Sequence, residues 1–178
     1  MLITVGCGLN QLHAQTKFGY VNATEILFLM PEMKVAQHVL DSFQVVLDQE
    51  LEAEVKKYKD LEQKLAQQIK EGASEALQDL TKQELQTEYE FIQKMQQTFE
   101  AEVGEKEQKL LLPLDEKVKK AVKEIALEKG LSYVFDISKG VLVFWEEKED
   151  INKEVRKKLG IAEDAKLPTN NTNSTNNK

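Results

Sequence analysis

The sequence predicts an α+β protein in which a long antiparallel α-helical hairpin is inserted into a small body of strands and helices. Three observations predict this class. A short strand pattern stands near the start of the chain, strand patterns return only after residue 130, and the stretch between them carries apolar residues at helical spacing. The 178 residues are about one domain's worth, but the 41% that are hydrophobic are drawn out along helical stripes rather than gathered around one centre.

Residues 17–21, "KFGYV", read as the first strand. Asn22 and Glu25 have the N-cap and N3 spacing of a capping box, so helix follows almost at once. Ile26, Leu27, Met30 and Met33 give that helix an apolar face, and Pro31 either interrupts it or opens the next helix as a first-turn residue. From residue 32 to about residue 70 nothing breaks the helical pattern. Val39, Phe43, Val46, Leu47, Leu51, Val55, Tyr58, Leu61, Leu65 and Ile69 recur every three or four residues, with Glu, Lys, Gln and Asp on the other faces. At 1.5 Å per residue such a helix is about 55–60 Å long and has to project from any compact core.

Gly72 is the predicted stop, and Ser74 can cap the return helix. A second stripe follows through Leu77, Leu80, Leu85, Tyr89, Ile92, Met95, Phe99, Val103 and Leu110. The two stripes predict a coiled-coil arm over residues 35–110 with a narrow apolar seam. Gly104 lies inside the return helix, costs about 1 kcal/mol relative to Ala, and is read as a softer point in the arm.

Pro113 is read as the re-entry to the body, opening "PLDEKVKKAVKEIALEKG" with Leu114, Val118, Val122, Ile125 and Ala126 on one face and Gly130 as the stop. "LSYVFDI" and "GVLVFW" flank Ser138-Lys139-Gly140 and predict a β-hairpin. A final short helix starts at Asp150 or Asn152 and runs through Leu159, closed by Gly160. The body thus combines residues 16–34 with residues 111–161, and residues 162–178 form a polar tail of disordered composition. Three short strands leave sheet edges unprotected, for which oligomerisation is the natural remedy.

Residues 1–15 read as a signal peptide or its remnant: apolar residues over 2–9, then small Ala14 before a cleavage point, although the basic n-region is missing. Lipidation at Cys7 and a frayed cytosolic terminus are the alternatives. Cys7 is the only cysteine, so cleavage after Ala14 would leave a mature chain without disulfides. No later stretch approaches the ~18 apolar residues of a membrane span, which argues against stable membrane insertion.

The formal net charge is -7, from 24 Lys and Arg against 31 Asp and Glu, and Arg156 is the single arginine. That balance argues against nucleic acid as a partner, since phosphate-backbone affinity needs clustered cations and bidentate readout needs guanidinium groups. The charge is uneven. Residues 35–110 hold 17 acidic and 9 basic residues, net -8, and the rest of the chain 14 and 15, net +1.

Nothing in the pattern points to catalysis. There is no P-loop, dinucleotide glycine motif or nucleophile elbow, and no cofactor or metal is called for. His13 leaves with the signal, and His38 stands in a charged helical context without a second histidine. Neighbours such as Glu52 and Lys56, or Glu146 and Glu147, fit local ion pairing and solvation of a helical surface. Asp136 lies within the late strand, either as a buried hydrogen-bonding group or on the outward side of an alternating strand. The chain reads as a non-enzyme.

The segments "KFGYVNATEILFLMPEMKVA", "LLLPLDEKVKKAVKEIALEKGLSYVFDIS" and "GVLVFWEEKEDINKEVRKKLGI", in that order, resemble the Skp/OmpH family of periplasmic outer-membrane protein chaperones. The resemblance covers residues 18–161 and rests on the ordered set: Gly19-Tyr20-Val21 before a capped helix, Pro31, Pro113, the Lys129-Gly130 stop, Phe135-Asp136, Gly140-Val141-Leu142 and Asp150-Ile151. It implies a jellyfish-like homotrimer whose strands form a central core, with three helical arms enclosing a cavity for unfolded outer-membrane β-barrel proteins. Tyr20, Val134, Phe135, Val141 and Val143 match the trimerisation body. Phe43, Tyr58, Tyr89, Met95 and Phe99 are client-contact candidates on the arms, although the seam between the two helices has first claim on them.

The resemblance also implies a periplasmic location in a Gram-negative bacterium, and "LHAQ" is similar to signal ends of Bacteroidetes-type bacteria. Arms in the family are often basic, a feature linked to acidic clients and lipopolysaccharide. Here they are net acidic, which puts lipopolysaccharide binding in doubt and leaves client capture to apolar contacts and lysines such as Lys56, Lys57, Lys59, Lys64, Lys70, Lys82 and Lys94. The rival readings are a structural or scaffolding coiled-coil protein that binds a folded partner and, less well supported, a cytosolic prefoldin-like holdase.

Overall fold

The computed structural model describes residues 16–140 and 142–167. The expectations for the leader, for Val141 and for the end of the tail fall outside them. In chain order the elements are β1 (Phe18–Val21), α1 (Ala23–Leu29), α2 (Pro31–Lys70), α3 (Glu75–Lys129), β2 (Tyr133–Asp136) and α4 (Asn152–Lys158), with 3-10 turns at Ile137–Lys139 and Glu147–Glu149. The chain divides into two compact units, one drawn from Met1–Leu29 and Lys117–Lys178, the other Met30–Glu116.

In the first unit β1 and β2 pair in parallel, Phe18 opposite Tyr133 through Val21 opposite Asp136. Parallel neighbours need a long crossover, here supplied by everything from α1 to α3. The far edge of β1 is taken by a bridge between Tyr20 and Asp150, with Ile151 N donating to Tyr20 O at 3.1 Å. The N-cap bond of the predicted capping box forms, but its reciprocal bond to the Asn22 backbone N–H does not. Glu25 N donates to Asn22 Oδ1 at 3.0 Å and Asn22 Nδ2 to Glu25 Oε2 at 3.3 Å. The backbone N–H of Asn22, left over by this variant of the motif, donates to Asn152 Oδ1 at 2.8 Å. Behind the sheet, Ile26, Val118, Ile125, Ile151 and Val155 form a buried apolar core.

The predicted β-hairpin does not form. β2 ends in a 3-10 turn: Asp136 accepts from Ser138 N at 3.0 Å, and Gly140, at φ 66°, donates to Ile137 O. The chain then leaves the free edge of β2 and returns along the opposite edge, at Asp150 beside β1. Residues 142–146 contain no strand, and Val143 is 100% and Phe144 80% exposed.

In the second unit α2 begins with Pro31 in its first turn, where the missing N–H costs no intrahelical bond. It ends in a Schellman motif: Gly72, at φ 73°, donates to Ile69 O at 3.2 Å and Ala73 N to Gln68 O at 2.9 Å. The return helix is antiparallel to it. Contacts pair Gln68 with Thr81, Lys64 with Glu84, Tyr58 with Tyr89 and Phe43 with Lys106, one index falling as the other rises. Thr81, the buried polar residue of this unit, is satisfied by donating to Gln68 Oε1 at 3.0 Å.

Pro113 does not open a new helix. It lies inside α3, a single helix of 55 residues. Proline in a helix interior costs about 3 kcal/mol through a lost bond and a clash with the preceding turn. Buried Leu114, Val118, Ala121 and Ile125 follow at once, and their apolar burial exceeds that cost.

Candidate functional site

Two apolar surfaces stand out, one in each unit. In a strand, residues i and i+2 share a face. Phe18 and Tyr20 of β1 therefore lie on the same side as Tyr133 and Phe135 of β2. Their rings cluster: Phe18 is 5.9 Å from Tyr133 and 6.0 Å from Phe135 between centroids, and Trp145 lies 5.6 Å from Tyr20. Tyr20 itself is buried, and burial, reinforced by the charges of Asp150, Glu147 and Glu149, pushes its phenol above the usual range. Phe18, Tyr133, Phe135 and Trp145 remain exposed.

Of the residues matched to the trimerisation body, Tyr20, Val134 and Phe135 lie in the two-stranded sheet, Val143 on the exposed segment that follows it, and Val141 outside the described residues. Sequence reasoning passed over Phe18, Tyr133 and Trp145. The signal for the first two was present as aromatic residues two apart in each strand, "FGY" and "YVF".

On the helical hairpin, the five client-contact candidates take different positions. Tyr58 and Tyr89 meet across the seam at 6.4 Å, and Phe43 is half-buried with Lys106 Nζ 5.5 Å from its ring centroid, a cation–π contact. Met95 is half-buried. Phe99 lines a groove of about 670 Å³ together with Leu47, Leu51 and Val103, its rim carrying Asp48 and Glu100. Val45, Val46 and Phe91 stand exposed on the helices. Val45 and Phe91 were missed because they fall off the three-or-four-residue stripe by which seam residues are recognised. A residue off the stripe faces solvent, as these do.

Four lysines of the hairpin hold an acidic partner, while the acidic excess stays unpaired by cations. Lys57 pairs with Glu54 at 2.6 Å, Lys64 with Glu84 at 3.0 Å, Lys82 with Asp79 at 2.8 Å, and Lys109 with Glu105. Three of the lysines expected to serve client capture, Lys57, Lys64 and Lys82, thus already hold an acidic partner. Among the described residues no group of three His, Cys, Asp or Glu side chains could hold a metal ion, and no helix is long and apolar enough to cross a membrane.

A two-stranded parallel sheet with its helices in one unit and a long antiparallel helical hairpin in the other define the class of this fold. The family model described as outer membrane protein (OmpH-like) matches residues 17–159, and the chain belongs to that family. It is similar to the crystal structure of an OmpH-like protein from Caulobacter crescentus CB15, with a TM-score of 0.67 and 17% identity, covering 82% of this chain and 85% of the other. At that identity the likeness establishes the fold. No curated protein matches the chain.

Proposed function

We propose that this protein is an ATP-independent holdase chaperone, acting in the periplasm of a Gram-negative bacterium. It binds unfolded outer-membrane β-barrel precursors and prevents their aggregation. The observation that carries this reading is the long hairpin with exposed Val45, Val46 and Phe91 set among charged residues, in a chain of the OmpH-like family. A holdase must hold many sequences loosely, and scattered apolar side chains on a long helix offer weak contacts that add up when several arms reach one client. The Caulobacter protein of the same fold is provisionally assigned as an outer membrane chaperone, which supports the same reading.

The working form is a homotrimer in which three hairpins enclose the client. The exposed rings of Phe18, Tyr133, Phe135 and Trp145, with fully exposed Val143, support association through the first unit, because a monomer would leave them in water. The net charge of -8 over residues 35–110 favours clients presenting cations and disfavours lipopolysaccharide.

The test is to shorten both helices by matched whole turns next to Gly72 and to follow aggregation of barrel precursors of increasing size, without nucleotide and at fixed trimer concentration. Shortened protein should still associate but fail first on the largest precursors. Equal protection of large and small precursors by both forms would overturn the enclosing arrangement. Binding only to a folded partner would instead make the protein a scaffold.

A further inference from the structure

Within the hairpin, Glu54 of α2 and Glu88 of α3 turn their carboxyl groups toward each other within hydrogen-bonding reach. Glu88 Oε1 is shielded from solvent and has no donor. Ionised carboxylates are acceptors only, so two of them face to face cannot satisfy one another, whereas one proton between them can. Lys57 settles which side keeps the charge. Its Nζ lies 2.7 and 2.6 Å from the two Glu54 oxygens. One helical turn away in the chain stand Glu50 and Tyr58 on α2 and Glu84 on α3, with Tyr89 next to Glu88. Glu84 is tied to Lys64, and the Tyr89 hydroxyl accepts from Gln93 at 2.7 Å.

We propose that Glu54 and Glu88 share one proton across the hairpin as a pH-sensitive latch, which ties α2 to α3 while the proton is held and loosens the arm when it is lost.

The directions agree with this assignment. Burial, then the Glu54 carboxylate, push Glu88 above the ordinary glutamate value of 4.5, whereas the hydrogen bond from Lys57 holds Glu54 below it. A group whose folded value is raised contributes stability that is fully present below the unfolded value and lost as pH rises through the folded one. For Glu54 the order reverses: its contribution is present above the unfolded value and lost as pH falls through the depressed one. The latch is strongest between the two, and rising pH loosens it.

The experiment is residue-resolved carbon NMR of the glutamate carboxyls in the full-length protein, with amide hydrogen exchange around residues 54–58 and 85–89 at several pH values, corrected for intrinsic rates. Glu88 should titrate above 4.5, and the Glu54 signal should respond in the same step. Protection of those amides should fall about ten-fold for each unit by which the Glu88 midpoint is raised. Glu88→Gln, whose amide donates permanently to Glu54, should keep its protection at pH 8. Independent titration of the two carboxyls at ordinary values would overturn the latch, as would a Glu88→Gln protein whose protection follows pH as the native protein's does. The native titration decides the question even if the variant does not fold.

Discussion

The Asp136 carboxylate accepts a hydrogen bond from Ala23 N at 3.2 Å, tying the end of β2 to the first turn of α1 across 113 residues of chain. The same Oδ1 accepts from Ser138 N at 3.0 Å. One side chain thus supplies an acceptor to an orphan N–H at a helix start and sets the turn that carries the chain away from the sheet.

Asp136→Ala should therefore cost about 1–2 kcal/mol, the usual effect of losing a capping acceptor and leaving donors unpaired. Asp136→Asn should lose less, because its Oδ1 can still accept both bonds. Urea unfolding at one fixed protein concentration measures this, since association makes apparent stability depend on concentration. Equal losses in the two variants would show that the carboxylate charge, rather than the acceptor, carries the effect.

Asp136 also explains what the sequence could and could not disclose. The N-cap bond of Asn22 with Glu25, and Gly72 as a stop, are local devices whose partners lie within six residues, and both form where the spacing predicts. The turn after β2 is not local. "FDISKGVLV" has the alternation of a hairpin, but Asp136 is engaged by Ala23 on the other side of the hairpin insertion, and the edge beside Tyr20 is taken by Asp150. Pro113 opens no new helix for a related reason: the apolar burial that sustains the helix through it depends on a core assembled from distant segments. On the hairpin, stripe periodicity discloses the contact of Tyr58 with Tyr89, but it also takes in Val46, Leu77 and Leu80, which stand exposed, and passes over the exposed Phe91.

Gly19 is required by a close approach rather than by backbone conformation. A Cβ built there would stand 2.7 Å from Leu131 Cδ1, with Glu149 O and Ile151 Cγ2 at 3.5 Å. The clash is with the end of a flexible side chain, so Gly19→Ala should destabilise by about 1 kcal/mol, at the low end of overpacking effects. Leu131→Ala makes room, and in a double-mutant cycle the pair should lose less than the sum of the single losses. Additive losses would mean that the backbone around Gly19, not Leu131, resists the methyl group.

Phe144 offers the sharpest test of the proposed trimer. It is 80% exposed in the single chain, and neighbouring Val143 fully so, so neither contributes appreciably to the fold of one subunit. If they are buried between copies, Phe144→Asp places a carboxylate in an apolar contact, at a cost of several kcal/mol unless it is neutralised or paired. Light scattering should then show the mass falling to that of a monomer, while circular dichroism retains the helical signal of α2 and α3. Shortening the hairpin beside Gly72, by contrast, should leave the association state unchanged. A native chain that is monomeric at micromolar concentration would remove the basis for the trimer. A Phe144→Asp protein that keeps its full mass would move the interface away from this segment.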